Sequence, residues 1–500
     1  MTVDPPAIAA TAGGGLLALP ILLPAFGVLM SFLVGGRRAE WIALGMTPVE
    51  FAVAVAIACL VWRSGQPLIY TLAGHAPPLG IALRADGFSA AMLVTAGLIA
   101  PAAALYARGN LATPGDKEKR APLVFWTLLQ GVQAGLSLLF LSGDLFNLYV
   151  GLELLTFAAV PLVCLDGRPE TIAAALRYLL FALFGSVFYL LGVALLYGAY
   201  GALDIAILSE RIRPEPAVWL AAGLMTAGLL AKTALFPLHL WLPPAHANAP
   251  AAASAVLSSL VVKGSFFVVV RLWFDVLAPL PLVMPGAVLA GLGSAAILFG
   301  SVLALRQARL KLLIAYSTVA QIGYLFLMFP LASGPWAADA FSGGIMQAMS
   351  HAFAKAAMFL SAGLVAESLG HDRIAGLGGA ARAMPVTFLA LGLGGLSLMG
   401  LPPSGGFAAK WLLLKASIAS GQWAWAIVMA AGGLLAGGYL YRVLAPALSG
   451  ESPQLKKAPE LSRECMALSL ALLAILLAFA PPAFFALLQI GRPGAGLALQ

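Results

Sequence analysis

The chain has 500 residues, of which 61% are hydrophobic and only 10% are charged, and its formal net charge is +8. Soluble domains carry about 25% charged residues, so this composition excludes a water-soluble globular fold and indicates an integral membrane protein. The positive charges lie in short loops and in isolated buried lysines rather than in a basic stripe, so we expect no nucleic-acid partner.

Long apolar segments dominate the chain. A helix needs about 20 apolar residues to span a bilayer. Fourteen segments meet this requirement and no long strand pattern occurs, so the sequence predicts an all-α polytopic membrane protein. The segments are 16–35, 41–61, 88–107, 122–141, 144–165, 172–197, 217–236, 251–273, 282–304, 310–330, 342–366, 384–418, 423–447 and 464–488.

Two of these segments contain helix breakers. The seventh runs into Phe236-Pro237, and the twelfth contains Gly400-Leu401-Pro402-Pro403, which cannot remain helical. A proline kink explains either break alone. Their matched positions, five segments apart, instead predict two inverted five-helix repeats of helices 4–8 and 9–13. The predicted domains are therefore N-terminal helices (1–121), two repeats (122–275 and 276–450) and a C-terminal helix (451–500). Transporters use such broken helices to place a relay site near the midplane.

The loops predict an orientation. Loops that follow odd-numbered segments contain most of the loop lysines and arginines, including Lys117 and Lys119. Basic loops stay in the cytoplasm. We therefore expect a multi-pass protein of the cell (inner) membrane with both termini on the outer or periplasmic side.

Ionisable side chains interrupt the apolar segments. A charge at membrane depth costs several kcal/mol even on lenient scales, so such residues face the protein interior and mark ion or proton pathways. The residues are Glu153, Lys232, Lys263, His351, Lys355, Lys410 and Lys415. Their spread over five segments predicts a polar path through the membrane.

The first part of this path involves three residues near the bilayer centre. Glu153 lies about 14 Å into its helix, and we expect it to pair with Lys232 because two unpaired charges would be very costly. A permanent structural ion pair is the alternative. Lys263 has no acidic neighbour in sequence, and a buried lysine without a partner exchanges its proton readily. The alternative for Lys263 is a side chain that extends to the membrane surface.

The second part of the path lies after residue 340. His351 and Lys355 are one helical turn apart and share a face, which favours a relay over a simple interhelical hydrogen bond. Lys410 follows the second break and is the stronger functional candidate, whereas Lys415 points elsewhere as an anchor near the membrane surface.

Three further residues are secondary candidates, namely Asp144, His239 and His246. No carboxylate or cysteine lies near the two histidines to complete a metal site. The sequence also contains no P-loop and no CxxC pattern, so we expect no bound metal or cofactor.

Five motifs occur together in order. They are Ser142-Gly-Asp144 through Gly151-Leu-Glu153, Lys232 through Pro250, Leu310 through Ser317, His351 through Gly363, and Gly400 through Lys410. This set resembles the antiporter-like subunits shared by Mrp-type cation/proton antiporters, respiratory complex I and membrane-bound hydrogenases. The run around Asp144 is most similar to the D-type large subunit of Mrp antiporters. The chain departs from the family pattern at Pro244, where the family usually has an acidic residue, and at Leu312, where it often has a basic residue.

The resemblance implies fourteen helices, two inverted repeats and broken helices seven and twelve. It also implies roles for five residues. Glu153 and Lys232 correspond to the essential ion pair, Lys263 to the central relay lysine, His351 to a relay histidine, and Lys410 to the second-half lysine near the outward exit.

Three functional hypotheses follow from these observations. The first is a proton-translocating membrane subunit of a multisubunit Mrp-type Na⁺/H⁺ antiporter, which would not be an enzyme. The alternative is a non-redox, proton-pumping subunit of a complex I-like NADH:quinone oxidoreductase or a membrane-bound hydrogenase. The third is an inactive scaffold. The first two imply other membrane subunits of a hetero-oligomeric complex, protons, the lipid bilayer and, for an antiporter, Na⁺ as partners.

Overall fold

The computed structural model describes residues 10–112 and 120–492, so Lys117 and Lys119, which entered the orientation argument, lie outside the described residues. Most of the described chain is helical. The helices are α1 Leu19–Val34, α2 Gly36–Ser64, α3 Gly87–Leu111, α4 Arg120–Leu141, α5 Leu145–Val163, α6 Pro169–Tyr200, α7 Ile205–Arg211, α8 Pro216–Thr233, α9 Leu242–Asn248, α10 Ala251–Val256, α11 Val262–Arg271, α12 Val283–Arg306, α13 Leu310–Phe326, α14 Ala337–Leu369, α15 Ala380–Ala383, α16 Pro385–Met399, α17 Gly405–Ala419, α18 Trp423–Leu448, α19 Leu461–Leu476 and α20 Pro482–Gln489.

Within the described ranges, thirteen helices are long and apolar enough to cross a membrane. The predicted twelfth segment is instead two helices of 15 residues each, α16 and α17. The predicted helical membrane fold is confirmed. The count of fourteen spans and the division into two inverted repeats stay predictions.

Two local features differ from the expected pattern. Strands β1 (Leu68–Thr71) and β2 (Ala82–Ala85) pair antiparallel, with Leu68 opposite Ala85. Each strand has only four residues, so a search of the sequence for long strands does not find them.

The last predicted helix, 464–488, is interrupted between α19 and α20 at Pro481 and Pro482, because proline lacks the N–H that continues a helix.

Both predicted helix breaks are present. Helix α8 ends at Thr233, where Ala234 takes a left-handed conformation with φ of 57°, and the chain becomes helical again at α9. Helix α16 ends at Met399, and the next residue, Gly400, has φ of 81°. A Cβ at Gly400 would lie 2.7 Å from Cδ of Lys410, so glycine is required there both for the turn and for the close approach of that lysine.

A buried ion cluster holds α11 against the start of α3. Arg271 donates to both oxygens of Asp86 at 2.5 and 2.6 Å and to Asp275 at 2.8 Å. Asp86 also caps α3 by accepting from the backbone N–H of Ser89 at 2.9 Å. Burial opposes the charged form of Asp86, but Arg271, Arg84 and the Ser89 N–H together hold its pKa at about 2.

Replacement of Asp86 by asparagine should lower the free energy of unfolding by about 3–5 kcal/mol, because Arg271 would remain buried without its main counter-ion. The pKa of Asp86 in the folded protein lies below the unfolded value of about 3.9. The stabilisation by the Asp86–Arg271 interaction is therefore present above about pH 4 and disappears as the pH falls toward 2. Thermal unfolding of the purified full chain in detergent, measured between these two pH values, tests both effects.

The control is Asp339→Asn, since Asp339 pairs with Lys415 at a site where their side chains are 38% and 62% exposed. Such exposed pairs contribute about 0–1 kcal/mol. Equal destabilisation by the two substitutions would contradict the assignment of Asp86 as the main counter-ion.

Candidate functional site: a row of buried ionisable side chains

The row begins with an ion pair between α5 and α8. Lys232 Nζ lies 3.1 Å from Glu153 Oε1, with side chains that are 5% and 15% exposed. The lysine also donates to Thr156 Oγ1 at 3.0 Å, and Ser186 of α6 donates to the same carboxylate oxygen. Lys232 is in the last turn of α8, where a positive charge interacts favourably with the helix dipole. The predicted pairing is therefore present in the structure.

Polar side chains continue from this pair toward α11. Thr233, the residue after Lys232, donates to Ser265 Oγ at 3.1 Å. Lys232, Thr156 and Ser265 also line a small internal cavity between the helices. Ser265 lies on α11, the helix that also carries Lys263, so this cavity lies between the ion pair and that helix.

Lys263 is completely buried and has no carboxylate partner among the residues described. Its ammonium group donates to the backbone carbonyl of Ser258 at 2.5 Å. Ser258 lies in a π-helical turn, Leu257–Val261, between α10 and α11. Such turns are frequent at functional sites because they alter the regular backbone hydrogen bonding. Lys263 therefore lies inside the protein, and the alternative of an extension to the membrane surface is excluded.

Helix α13 connects Lys263 with Lys355. The Ser258 hydroxyl lies 3.0 Å from Thr318 Oγ1, and Thr318 also donates to the carbonyl of Ile314 at 3.0 Å. Lys355 of α14 donates to the same Ile314 carbonyl at 2.9 Å and contacts the Ser317 hydroxyl. A continuous set of hydrogen-bonded residues therefore joins the two buried lysines.

The same face of α13 continues toward Lys410. Gln321, one turn after Ser317, donates to the carbonyl of Leu398 at 3.0 Å. Lys410 donates to that carbonyl at 2.6 Å, and its ammonium group lies 4.0 Å from the centroid of the Tyr324 ring. Leu398 is in the last turn of α16, so the lysine charge meets the negative end of a broken helix.

Two buried histidines lie along this row. Neither ring nitrogen of His246 or His351 has a hydrogen-bond partner among the described residues. His351 is within electrostatic range of Lys263, Lys355, Lys410 and His246. Unpartnered imidazoles surrounded by lysines have both nitrogens free to accept or donate a proton.

The other candidates lie outside the row. Lys415 is exposed and pairs with Asp339 at 3.0 Å, as expected for an anchor. Asp144 caps α5 by accepting from the N–H groups of Phe146 and Asn147, and His239 packs against aromatic rings. A group of three or more His, Cys, Asp or Glu side chains suited to a metal does not occur in the described part of the chain.

Several members of the row were missed by sequence reasoning, namely Ser258, Ser317, Thr318 and Gln321. Serine and threonine are common in membrane helices, so hydropathy gives no signal that separates these three from ordinary packing residues. Gln321 offered a signal, because an amide in an otherwise apolar helix is costly unless it is hydrogen-bonded.

Comparison with known proteins identifies one family. The family described as NADH:quinone oxidoreductase/Mrp antiporter, TM matches residues 142–436. NADH-quinone oxidoreductase subunit N of Desulforudis audaxviator (strain MP104C) is 37% identical over 405 residues, covering 80% of this chain and 79% of that protein. The D-type subunit of the Na⁺/H⁺ antiporter of Alkalihalophilus pseudofirmus is 28% identical over 430 residues, covering 84% of each.

A solved structure shows the same fold. A chain in the structure of the Mrp complex from Dietzia sp. DQ12-45-1b superimposes with a TM-score of 0.85 at 24% identity, covering 97% of this chain and 99% of that one. The resemblance inferred from the five motifs is confirmed at the level of the family. These relatives do not favour the predicted Mrp-type antiporter over the complex I-like alternative.

Because the Glu153–Lys232 pair is buried, Glu153→Gln alone should destabilise the protein by about 3–5 kcal/mol, since Lys232 would keep a charge without a counter-ion. The double variant Glu153→Gln with Lys232→Met should recover most of that loss. Thermal unfolding of the full chain measures both, and Lys415→Met at the exposed pair serves as the control. Additive losses in the double variant would show that the two side chains are not coupled.

Proposed function

The chain belongs to the NADH:quinone oxidoreductase/Mrp antiporter family of transmembrane subunits, and from that premise we propose that it is a proton-translocating, non-redox membrane subunit of a multisubunit complex of the NADH:quinone oxidoreductase type. The observation that carries the proposal is the buried row from Glu153 to Lys410. In this row hydrogen-bonded residues connect Lys263 with Lys355, and Gln321 of the same helix α13 shares the Leu398 carbonyl with Lys410.

The 37% identical relative supports the choice of an NADH:quinone oxidoreductase-type complex. This choice reverses the order of the two hypotheses drawn from the sequence, in which the run around Asp144 placed the Mrp antiporter first. In the structure Asp144 caps the start of α5.

Proton uptake begins at the Glu153–Lys232 pair in this proposal. While the pair is closed, the carboxylate stabilises the charged lysine. When the pair opens, the proton of the ammonium group is released more readily and passes to Lys263. The small cavity beside Lys232 and Ser265 supports this step, because it lies between the ion pair and the helix that carries Lys263.

From Lys263 the proton passes to Lys355 and Lys410, with His351 among them. Each of these lysines donates to a backbone carbonyl, which interacts favourably with a charged ammonium and still accepts from a neutral amine. Lys410 is the last member of the row and the proposed exit residue.

A membrane subunit of an Mrp-type Na⁺/H⁺ antiporter is the second candidate. The 28% identical D-type antiporter subunit supports it, because that relative matches this chain over 84% of its length. The same row of residues would then couple proton flow to cation flow in place of electron transfer. Either complex implies other membrane subunits as partners.

The Lys410→Ala variant should lower proton flux through the assembled complex in proteoliposomes by about 100-fold or more, as expected for loss of an acid–base group. Lys415→Ala should have no such effect, since this lysine of the same helix is exposed and paired with Asp339. Equal flux in the two variants would disprove the role of Lys410.

The identity of the parent complex is open to direct measurement. We expect the tagged full-length chain, isolated from its native membrane in mild detergent, to co-purify with flavin- or iron–sulfur-containing subunits. Co-purification with small membrane subunits alone, together with Na⁺-dependent proton flux, would favour the antiporter instead.

A further inference from the structure

A second intramembrane carboxylate lies in α2, away from the row. Glu50 is 6% exposed and is the only Asp, Glu, Lys or Arg between Glu40 and Arg63. Gln133 of α4 approaches its Oε2 at 3.4 Å, and its Oε1 has no hydrogen-bond partner among the described residues. A buried carboxylate in a bilayer is a functional-site hypothesis by default.

Other unpartnered oxygens lie on the helices around Glu50. Thr47 precedes Glu50 by three residues, which places both on one face of α2. Six side chains on α1, α2 and α4, all buried except the half-buried Thr127, each have an oxygen without a hydrogen-bond partner among the residues described: Ser31, Thr47, Glu50, Thr127, Gln130 and Gln133. We call these six residues the oxygen seam.

Direct contacts bring the three helices together at this seam. Gln130 of α4 donates to the carbonyl of Ala43 in α2 at 3.3 Å. A Cβ added at Gly27 of α1 would lie 3.3 Å from Cδ of Gln130, so that amide lies directly against α1. Together with the contact between Gln133 and Glu50, these contacts place the polar faces of α2 and α4 and one side of α1 in a common interior.

The oxygen seam is separate from the row of ionisable side chains that runs from Glu153 to Lys410. Gly131 and Gly135 of α4 face Ala158 and Leu155 of α5, the helix that carries Glu153. Gln130 and Gln133 face α1 and α2 instead. Helix α4 therefore has the row on one side and the seam on the other.

The seam is rich in hydrogen-bond acceptors and contains one carboxylate. Oxygens of Glu50, Gln130 and Gln133 lack a donor among the described residues, although Gln133 donates to Glu50 and Gln130 donates to Ala43. Each buried acceptor left unpaired costs about 1–3 kcal/mol. A cation bound beside Glu50 takes several oxygen ligands at once, and oxygen is the ligand that hard cations prefer.

The charge balance selects the class of cation. The seam has one carboxylate, and its other oxygens are neutral amides and hydroxyls. A divalent ion would leave an uncompensated charge inside the bilayer, which is strongly unfavourable. We propose that the oxygen seam binds one monovalent alkali cation of the Na⁺ class, with Glu50 as its counter-charge. This site does not depend on the proposed proton relay.

Thermal unfolding of the purified full-length chain, with NaCl replaced by choline chloride at constant ionic strength, tests the proposal. The unfolding temperature should rise with Na⁺, because a ligand that binds only the folded state stabilises it. Glu50→Gln should abolish the response. Thr47→Val, which keeps the shape and removes one ligand, should raise the half-saturating Na⁺ concentration about tenfold.

Glu153→Gln is the matched control, since it neutralises a different intramembrane carboxylate. It should retain the Na⁺ response while proton flux falls, which separates failure of the seam from failure of the proton relay. Absence of a Na⁺ response in the unmodified protein would show that the seam holds water only and would overturn the proposal. An unchanged response in both Glu50→Gln and Thr47→Val would overturn it as well.

Discussion

A polar group inside a bilayer has to find its partners within the protein, and the arrangement of this chain follows from that constraint. Lys263, Lys355 and Lys410 are buried without a carboxylate partner among the described residues, and each is held by a backbone carbonyl. Two of these carbonyls belong to irregular helix positions, a π-helical turn at Ser258 and the end of a broken helix at Leu398. The helix irregularities therefore supply the acceptors that make buried lysines tolerable.

Buried basic side chains in this structure have two kinds of surroundings. Arg271 is bound by two carboxylates and a hydroxyl, which is a fully satisfied and permanently charged arrangement. Lys263, eight residues earlier in the same span and about 12 Å away along the helix, has a single neutral acceptor. The rigid cluster fixes the span at its end, and the weakly held lysine keeps the freedom to exchange a proton.

Polar residues also divide helix α4 between two environments. The face with Gly131 and Gly135 packs closely on α5 and so supports the helix of Glu153. The opposite face carries the polar residues Gln130 and Gln133, which point toward α1 and α2, the helix of Glu50. Helix α4 therefore lies between the proposed proton path and the proposed alkali-cation site, and a shift of α4 offers a physical means of coupling the two.

The sequence by itself determined the membrane class, the positions of most helices, both helix breaks and most members of the buried row, because apolar length and the rarity of charge in lipid are local properties of the chain. It also predicted the Glu153–Lys232 pair, since two unpaired charges at membrane depth would be very costly. Only the tertiary structure decided which neutral groups connect the lysines. The roles of Ser258, Thr318 and Gln321 follow from the packing of α13 against the π-helical turn at Ser258 and the end of α16. Contacts between such distant segments leave no periodic signal in a single sequence. Glu50 combines both kinds of information. Its charge is visible in the sequence, but only the packing of α1, α2 and α4 brings the other oxygens near it.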